Sequence, residues 1–444
     1  MSLTTFRITI MLKGWIMDAN TKPANSMSCV ALASFIGTAI EFYDFYIYAT
    51  AAALVIGPVF FPDSSPSAQA LQSFATFGIA FVARPIGAIL FGHFGDKIGR
   101  KSTLVFSLIL MGVATTGIGL LPSYSAIGFW APFLLCILRL AQGLGLGGEW
   151  GGAALLATEN APQNKRALFG MFPQLGPSVG FLLSNGVFLL VTLSLSNEQF
   201  LQWGWRIPFL LSAVLVIIGL YVRLKLVESP IFANALRSKQ QVKVPAFNIF
   251  VHHWKALALG SFSMVGCYTL FYITTAFLLQ YGTKYLGIAK GHFLGFLCVA
   301  IVFMAIATPI SARLSDKYGR KPVLVIGLLF VALSGTVMTQ FMASGSELLV
   351  LIYLSLELFL MGVVFAPMGA FLPEIFPTNV RYTGSSAAYS IGGILGASIA
   401  PIIANYLVAN GDLSWVGYYV AVASIISICA TLLIKETLNS DFTQ

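Results

Sequence analysis

Six ionisable side chains stand inside long apolar runs: Glu41, Asp44, Arg84, Arg139, Glu149 and Glu357. A charge in a hydrocarbon layer is costly, so each is a candidate for function. Glu41, Asp44, Phe45 and Tyr48 fall at i, i+3, i+4 and i+7, one face of a helix, and Ser34 and Thr38 extend that face. A polar and aromatic stripe on an otherwise apolar helix must face protein or water rather than lipid. Two carboxylates one turn apart repel each other when both are ionised, so one of them is suited to bind and release a proton. Fixed pairing with Arg84 and Arg139 is the competing reading, but four acids against two bases cannot all be neutralised in this way. Glu41, Asp44 and Glu149 are therefore the candidates for proton binding.

The arginines suggest a second chemistry. The forked donors of Arg84 suit a carboxylate, on another helix or on a substrate. Arg139 stands ten residues before Glu149. That separation is roughly 15 Å along one helix, too far for a direct pair, so Arg139 is expected to meet a carboxylate from elsewhere or the substrate. With Tyr48 and Gln142 these residues form a candidate substrate cavity. Tyr268 and Tyr272, at i and i+4, extend it from the second half or simply fill space there. Glu357 has no partner visible in the sequence and reads as an interhelical hydrogen-bonding group. The four histidines and five cysteines show no metal-ligand spacing, and no nucleophile–base cluster is visible. Neither a metal, a cofactor nor an enzymatic reaction is expected.

The elements that must hold these residues are membrane helices. The chain has 444 residues, 57% hydrophobic and 9% charged. Soluble domains carry roughly 25% charged residues, so a water-covered surface is excluded. The net charge of +9 lies in short loops and is no nucleic-acid signal. The 42 glycines suit close helix packing in lipid. Twelve spans are expected, at 28–60, 69–93, 102–121, 128–157, 167–194 and 206–223, then 255–281, 291–312, 322–342, 347–372, 384–408 and 414–434. The reading is all-α and polytopic: a tail over 1–26, a six-helix bundle over 27–223, a linker over 224–252, a second bundle over 253–434 and a tail over 435–444. Residues 1–26 form no clean cleavable signal, and Met11, Met17 or Met27 are alternative starts. Lysines and arginines concentrate in alternate loops, which places both termini and the linker in the cytoplasm.

Two loop phrases recur in the same order in both halves. Asp96, Gly99, Arg100 and Lys101 match Asp316, Gly319, Arg320 and Lys321; Glu159, Pro162 and Arg166 match Glu374, Pro377 and Arg381. Two similar halves are a common plan for carriers. An aspartate in such a loop can accept hydrogen bonds from helix-terminal amides or from an arginine, and glycine allows a tight turn. A basic loop that only fixes topology is the competing account, and for Glu159, Arg166, Glu374 and Arg381 a plain proline turn is the alternative to a charge network.

With Gly92, the first phrase resembles the loop motif between spans 2 and 3 of the major facilitator superfamily; the second copy has Ala312 where the first has Gly92. The glycine run of span 4 (Arg139, Gln142, Gly143, Gly145, Gly147, Gly148, Glu149, Gly151, Gly152), Glu41–Asp44, and Glu228-Ser229-Pro230 resemble the metabolite:proton symporter branch, with its carriers of shikimate, oxoglutarate, citrate and proline/betaine. The resemblance implies two six-helix bundles in a bacterial inner membrane. It implies a monomeric carrier whose partners are a small-molecule substrate, protons and the bilayer, with the loop phrases gating its cytoplasmic side. Uptake of a small polar metabolite, an organic acid, by proton symport is the expected function. The alternative is a proton-coupled exporter. Gly176-Pro177-x-x-Gly180 partly matches an antiporter motif, but Phe181 stands where that motif has another glycine.

Overall fold

The computed structural model describes residues 27–98, 100–147, 149–159, 161–225, 245–377, 380–438 and 440. Long apolar stretches become long helices, because a backbone in hydrocarbon must satisfy its own hydrogen bonds. We number the membrane helices α1 (Met27–Leu54), α2 (Pro66–Ile98), α3 (Arg100–Leu120), α4 (Trp130–Glu159), α5 (Arg166–Ser194) and α6 (Arg206–Lys225). The second set is α7 (Trp254–Lys284), α8 (Lys290–Tyr318), α9 (Arg320–Thr336), α10 (Glu347–Glu374), α11 (Arg381–Asn410) and α12 (Leu413–Leu433). Among the described residues eight helices are long and apolar enough to span a membrane on their own; a ninth span arises if Asn197–Gly204 is joined to α6 across a 44° bend.

Two expected spans and the linker differ in detail. The first ends at Leu54 and restarts as a short helix, Ile56–Phe60. The ninth breaks at Val337 before Met338–Met342. Within the linker, Pro245–His252 is helical, whereas 226–244 lies outside the described residues, as does the tail over 1–26.

The helices form two six-helix bundles with matching internal contacts. In the first, α1 lies against α5 and α6, α2 against α4, and α3 against α6; in the second, α7 lies against α11 and α12, α8 against α10, and α9 against α12. The bundles meet mainly where α5 lies along α8 and α2 along α11. Leu120, Leu193, Ile217, Leu333 and Leu433 are exposed on the outside, a surface suited to lipid tails rather than water. Among the described π-helical segments, two interrupt neighbouring helices of the second bundle, Ile273–Phe277 in α7 and Ile394–Ser398 in α11. Such bulges often mark functional positions, and both lie beside the aromatic residues described below.

Candidate transport site

The acids gather inside the first bundle. Asp44 of α1 is fully buried, and neither of its carboxylate oxygens has a hydrogen-bond partner. Its polar surroundings are the hydroxyls of Thr115 on α3 and Ser212 on α6, with the Glu149 carboxylate close enough to act on it. Glu149 of α4 is also buried and accepts a hydrogen bond from Ser107 of α3. Glu41 is buried one turn before Asp44. Along the stripe read from the sequence Asp44 looks toward α3 and α6, Phe45 toward α2, and Tyr48 reaches both Thr76 of α2 and Phe209 of α6. Successive residues on a helix point about 100° apart, so neighbours reach different helices.

Arg139 does not meet the carboxylate expected for it. Its Nη2 donates to the Phe77 carbonyl at 3.0 Å, its Nε to that of Thr76 at 3.4 Å, and its Nη1 to Gln142. Its guanidinium lies 3.8 Å from the centre of the Tyr48 ring, whose hydroxyl bonds Thr76 at 2.6 Å. Gln142 in turn donates to the Asp44 carbonyl and to Thr115, each at 2.8 Å. Backbone carbonyls carry partial negative charge, and α2 supplies two because α4 approaches it closely. A Cβ at Gly143 would stand 2.7 Å from Ala80 Cα, a distance real side chains do not reach. The glycine run of α4 thus sets the helix spacing that lets Arg139 reach the α2 backbone.

Arg84 stands where the bundles meet. It is buried, and its Nη1 has no hydrogen-bond partner. Its guanidinium lies 4.7 Å from the Phe45 ring, 4.9 Å from Phe81 and 5.7 Å from Tyr389 of α11. Tyr268 and Tyr272 of α7 complete this cage. Tyr272 contacts Phe77 and Phe81 at 5.3 and 5.5 Å, and Tyr268 contacts Tyr389 at 5.3 Å. The Tyr268 hydroxyl is buried and unpartnered. Glu357 sits elsewhere, inside the second bundle beside Ser334 and Tyr353.

Beyond the cage the bundles close on each other. Trp150 of α4 stacks on Tyr389 with ring centres 4.0 Å apart and planes 4° from parallel. The Trp150 indole donates to Gln174 of α5, which donates to the Phe365 carbonyl of α10. At the end of the bundles Asp316 accepts from the backbone amides of Ala167 and Leu168 at 3.0 and 2.8 Å, capping α5 from the opposite bundle. Arg320 bridges Asp316 at 2.8 Å and Glu374 at 3.1 Å. Glu436 caps α9 through the amides of Arg320 and Lys321, and Thr437 donates to Glu374. Gly319 turns the chain between α8 and α9 at φ +108°, a conformation open mainly to glycine. Arg166 donates to the Ser440 carbonyl, and Arg381 to the carbonyls of Pro373 and Phe376. Glu159 ends α4, half-buried. In the first copy of the phrase Gly99 lies outside the described residues, as do the surroundings of Gly92 and the side chains of Asp96, Arg100 and Lys101.

Sequence reasoning missed Trp150, Gln174, Tyr389 and Glu436. A signal existed for two of them. Trp150 is the one aromatic in the glycine run over 143–152, and Tyr389 the one aromatic in a stretch dominated by Gly, Ser and Ala over 384–393.

Two pseudo-equivalent bundles closing on a buried charge and an aromatic cage define a membrane transporter. The chain belongs to the major facilitator superfamily. Residues 29–244 match the family model described as "Sugar (and other) transporter", and residues 289–441 match "Major Facilitator Superfamily". The chain is 52% identical to the inner membrane metabolite transport protein YhjE of Escherichia coli (strain K12), over 94% of this chain and 96% of that protein. It is 38% identical to the shikimate transporter of the same organism, over 95% and 97% of the two chains. Among solved structures, the proton:xylose symporter XylE of that superfamily, bound to 6-bromo-6-deoxy-D-glucose, superposes with a TM-score of 0.74 at 18% identity, over 93% of this chain and 96% of the other. The protein is thus a multi-pass metabolite transporter of the inner membrane and not an enzyme.

Proposed function

We propose that the protein imports a small organic acid together with a proton, by alternating access around the cage between its bundles. The observation that carries this reading is Asp44: a carboxylate sealed inside the first bundle, with two hydroxyls beside it and, among the described residues, no cation paired to it. An ionised carboxylate there would have only two neutral hydroxyls to offset its lost hydration, whereas a protonated one is tolerated. Such a group changes its charge only when water reaches it, which ties proton exchange to a change of conformation. Gln142 links the Asp44 backbone to Arg139, so a shift of α1 on protonation would reach the substrate side. In this reading Glu149 and Glu41 assist Asp44, and both termini are cytoplasmic. The Asp316–Arg320–Glu374 network would then latch that face while the opposite face is open. A relative named as a shikimate transporter and a fold neighbour named as a proton symporter support the same reading.

The test is uptake of labelled organic acids into right-side-out vesicles, with external pH recorded. Uptake should alkalinise the medium and collapse with a protonophore. Uptake indifferent to the protonophore, or net efflux driven by an inward proton gradient, would refute import by symport.

A further inference from the structure

The two buried arginines differ in how far their charge is answered. Arg139 is held by two backbone carbonyls and Gln142, and the Tyr48 ring covers its face. Arg84 has no such answer. Its Nη1 is buried without a partner, and among the described residues no carboxylate lies within ion-pair distance of it. Asp44 cannot serve, because it faces Thr115 and Ser212 within the first bundle. Around Arg84 stand aromatic rings from both bundles: Phe45 and Phe81 from one, Tyr389 from the other. Rings attract a cation by about 0.5–2 kcal/mol but leave its hydrogen-bond donors and its net charge unsatisfied.

We infer that Arg84 receives the single carboxylate of a monoanionic substrate, whose carbon body lies against the aromatic walls and presents a hydroxyl or carbonyl oxygen to Tyr268. This rests on the carrier reading above and names its substrate class. The guanidinium fork matches one carboxylate through two parallel hydrogen bonds. A second carboxylate would have to compete for Arg139 with the two backbone carbonyls and the Gln142 oxygen that already hold it. The ammonium of a zwitterion would lie among these rings beside the guanidinium, with Asp44 turned away. Tyr268 brings the remaining polar feature, a buried hydroxyl with no partner, on the bundle facing Arg84. Since the walls come from both bundles, an occupant of this kind would draw them together.

The test is binding to the purified full-length protein in detergent, read by thermal shift and by calorimetry. Five probes suffice: cyclohexanecarboxylate, 3-hydroxycyclohexanecarboxylate, the neutral amide of the former, succinate and glycine betaine. The monoanions should bind, the hydroxylated one tighter, and the amide, succinate and betaine at least about tenfold more weakly. Arg84→Gln should weaken the monoanions by about 10- to 100-fold. Tyr268→Phe should abolish the preference for the hydroxylated probe over cyclohexanecarboxylate, a result that does not require Arg84→Gln to fold. Succinate or betaine binding as tightly as the monoanions, no binding by either monoanion, or an Arg84→Gln protein that binds them as the wild type does would each overturn the inference. Monoanion binding without proton-driven uptake would instead leave it standing and remove the symport reading.

Discussion

The Trp150 ring of the first bundle lies flat on the Tyr389 ring of the second, 4.0 Å away and within 4° of parallel. Tyr389 also stands 5.7 Å from the Arg84 guanidinium. One aromatic residue thus borders both the closed end of the molecule and the cation of the cage. An event at Arg84 therefore has a direct route to the contact that separates the cage from that end.

Removing the stack should open that end. An aromatic pair contributes about 0.5–1.5 kcal/mol beyond the area it buries, enough to shift a balanced two-state equilibrium severalfold. In Trp150→Ala, a cysteine placed at Ser386, which lies against Gly151 in the same contact, should react severalfold faster with a small maleimide than in the parent. Equal labelling rates would show that the stack does not hold the bundles together.

Asp316→Asn keeps the shape of the α5 cap and removes its charge. The two amide bonds to Ala167 and Leu168 and the pair with Arg320 all depend on that charge. We expect about 1–3 kcal/mol less stability of the closed form, seen as a lower unfolding temperature and a lower uptake rate. A variant with wild-type values for both would reduce the loop phrase to a topological signal.

Asp44→Asn should separate exchange from net transport. An amide cannot carry the proton, yet it fills the same space beside Thr115 and Ser212. Exchange of labelled for unlabelled substrate across the membrane should persist, while accumulation driven by a proton gradient should fall to background. Accumulation that survives the substitution would move the proton site to Glu149 or Glu41.

Gly143→Val tests the spacing that lets Arg139 reach the α2 backbone. Even the first added carbon would stand 2.7 Å from Ala80 Cα and closer still to the Ala80 carbonyl oxygen, so α4 must move off α2. Overpacking of this kind costs about 1–3 kcal/mol and should also strain the bonds of Arg139 to Thr76 and Phe77. Thermal unfolding of the purified protein should fall by several degrees; an unchanged midpoint would show that the interface yields freely.

Much of this was legible in the residues alone. The twelve apolar runs lie within a few residues of the helices that form, because hydrophobic length is a local property and the bilayer imposes one thickness on every span. The buried charges were legible too: an acid or base in an apolar run must be handled somehow, wherever the run sits. The repeated Asp–Gly–Arg–Lys phrase marked Asp316 and Arg320 as a unit, and they do lie together at 2.8 Å.

Partnership was not legible, because it joins residues far apart in the chain. Nothing near Arg139 in sequence foretold that its donors would go to the carbonyls of Thr76 and Phe77, 63 and 62 positions away. Nothing near Asp316 foretold that it would cap a helix beginning about 150 residues earlier. Residue type and helical period thus fixed which charges are buried and on which helices, since both act within a few turns. Only the tertiary structure decided which of the two arginines is satisfied and which is left open. Hydrogen bonds and ring contacts depend on how closely α2 and α4 approach and how the two bundles face one another, and those distances exist only once the helices have assembled.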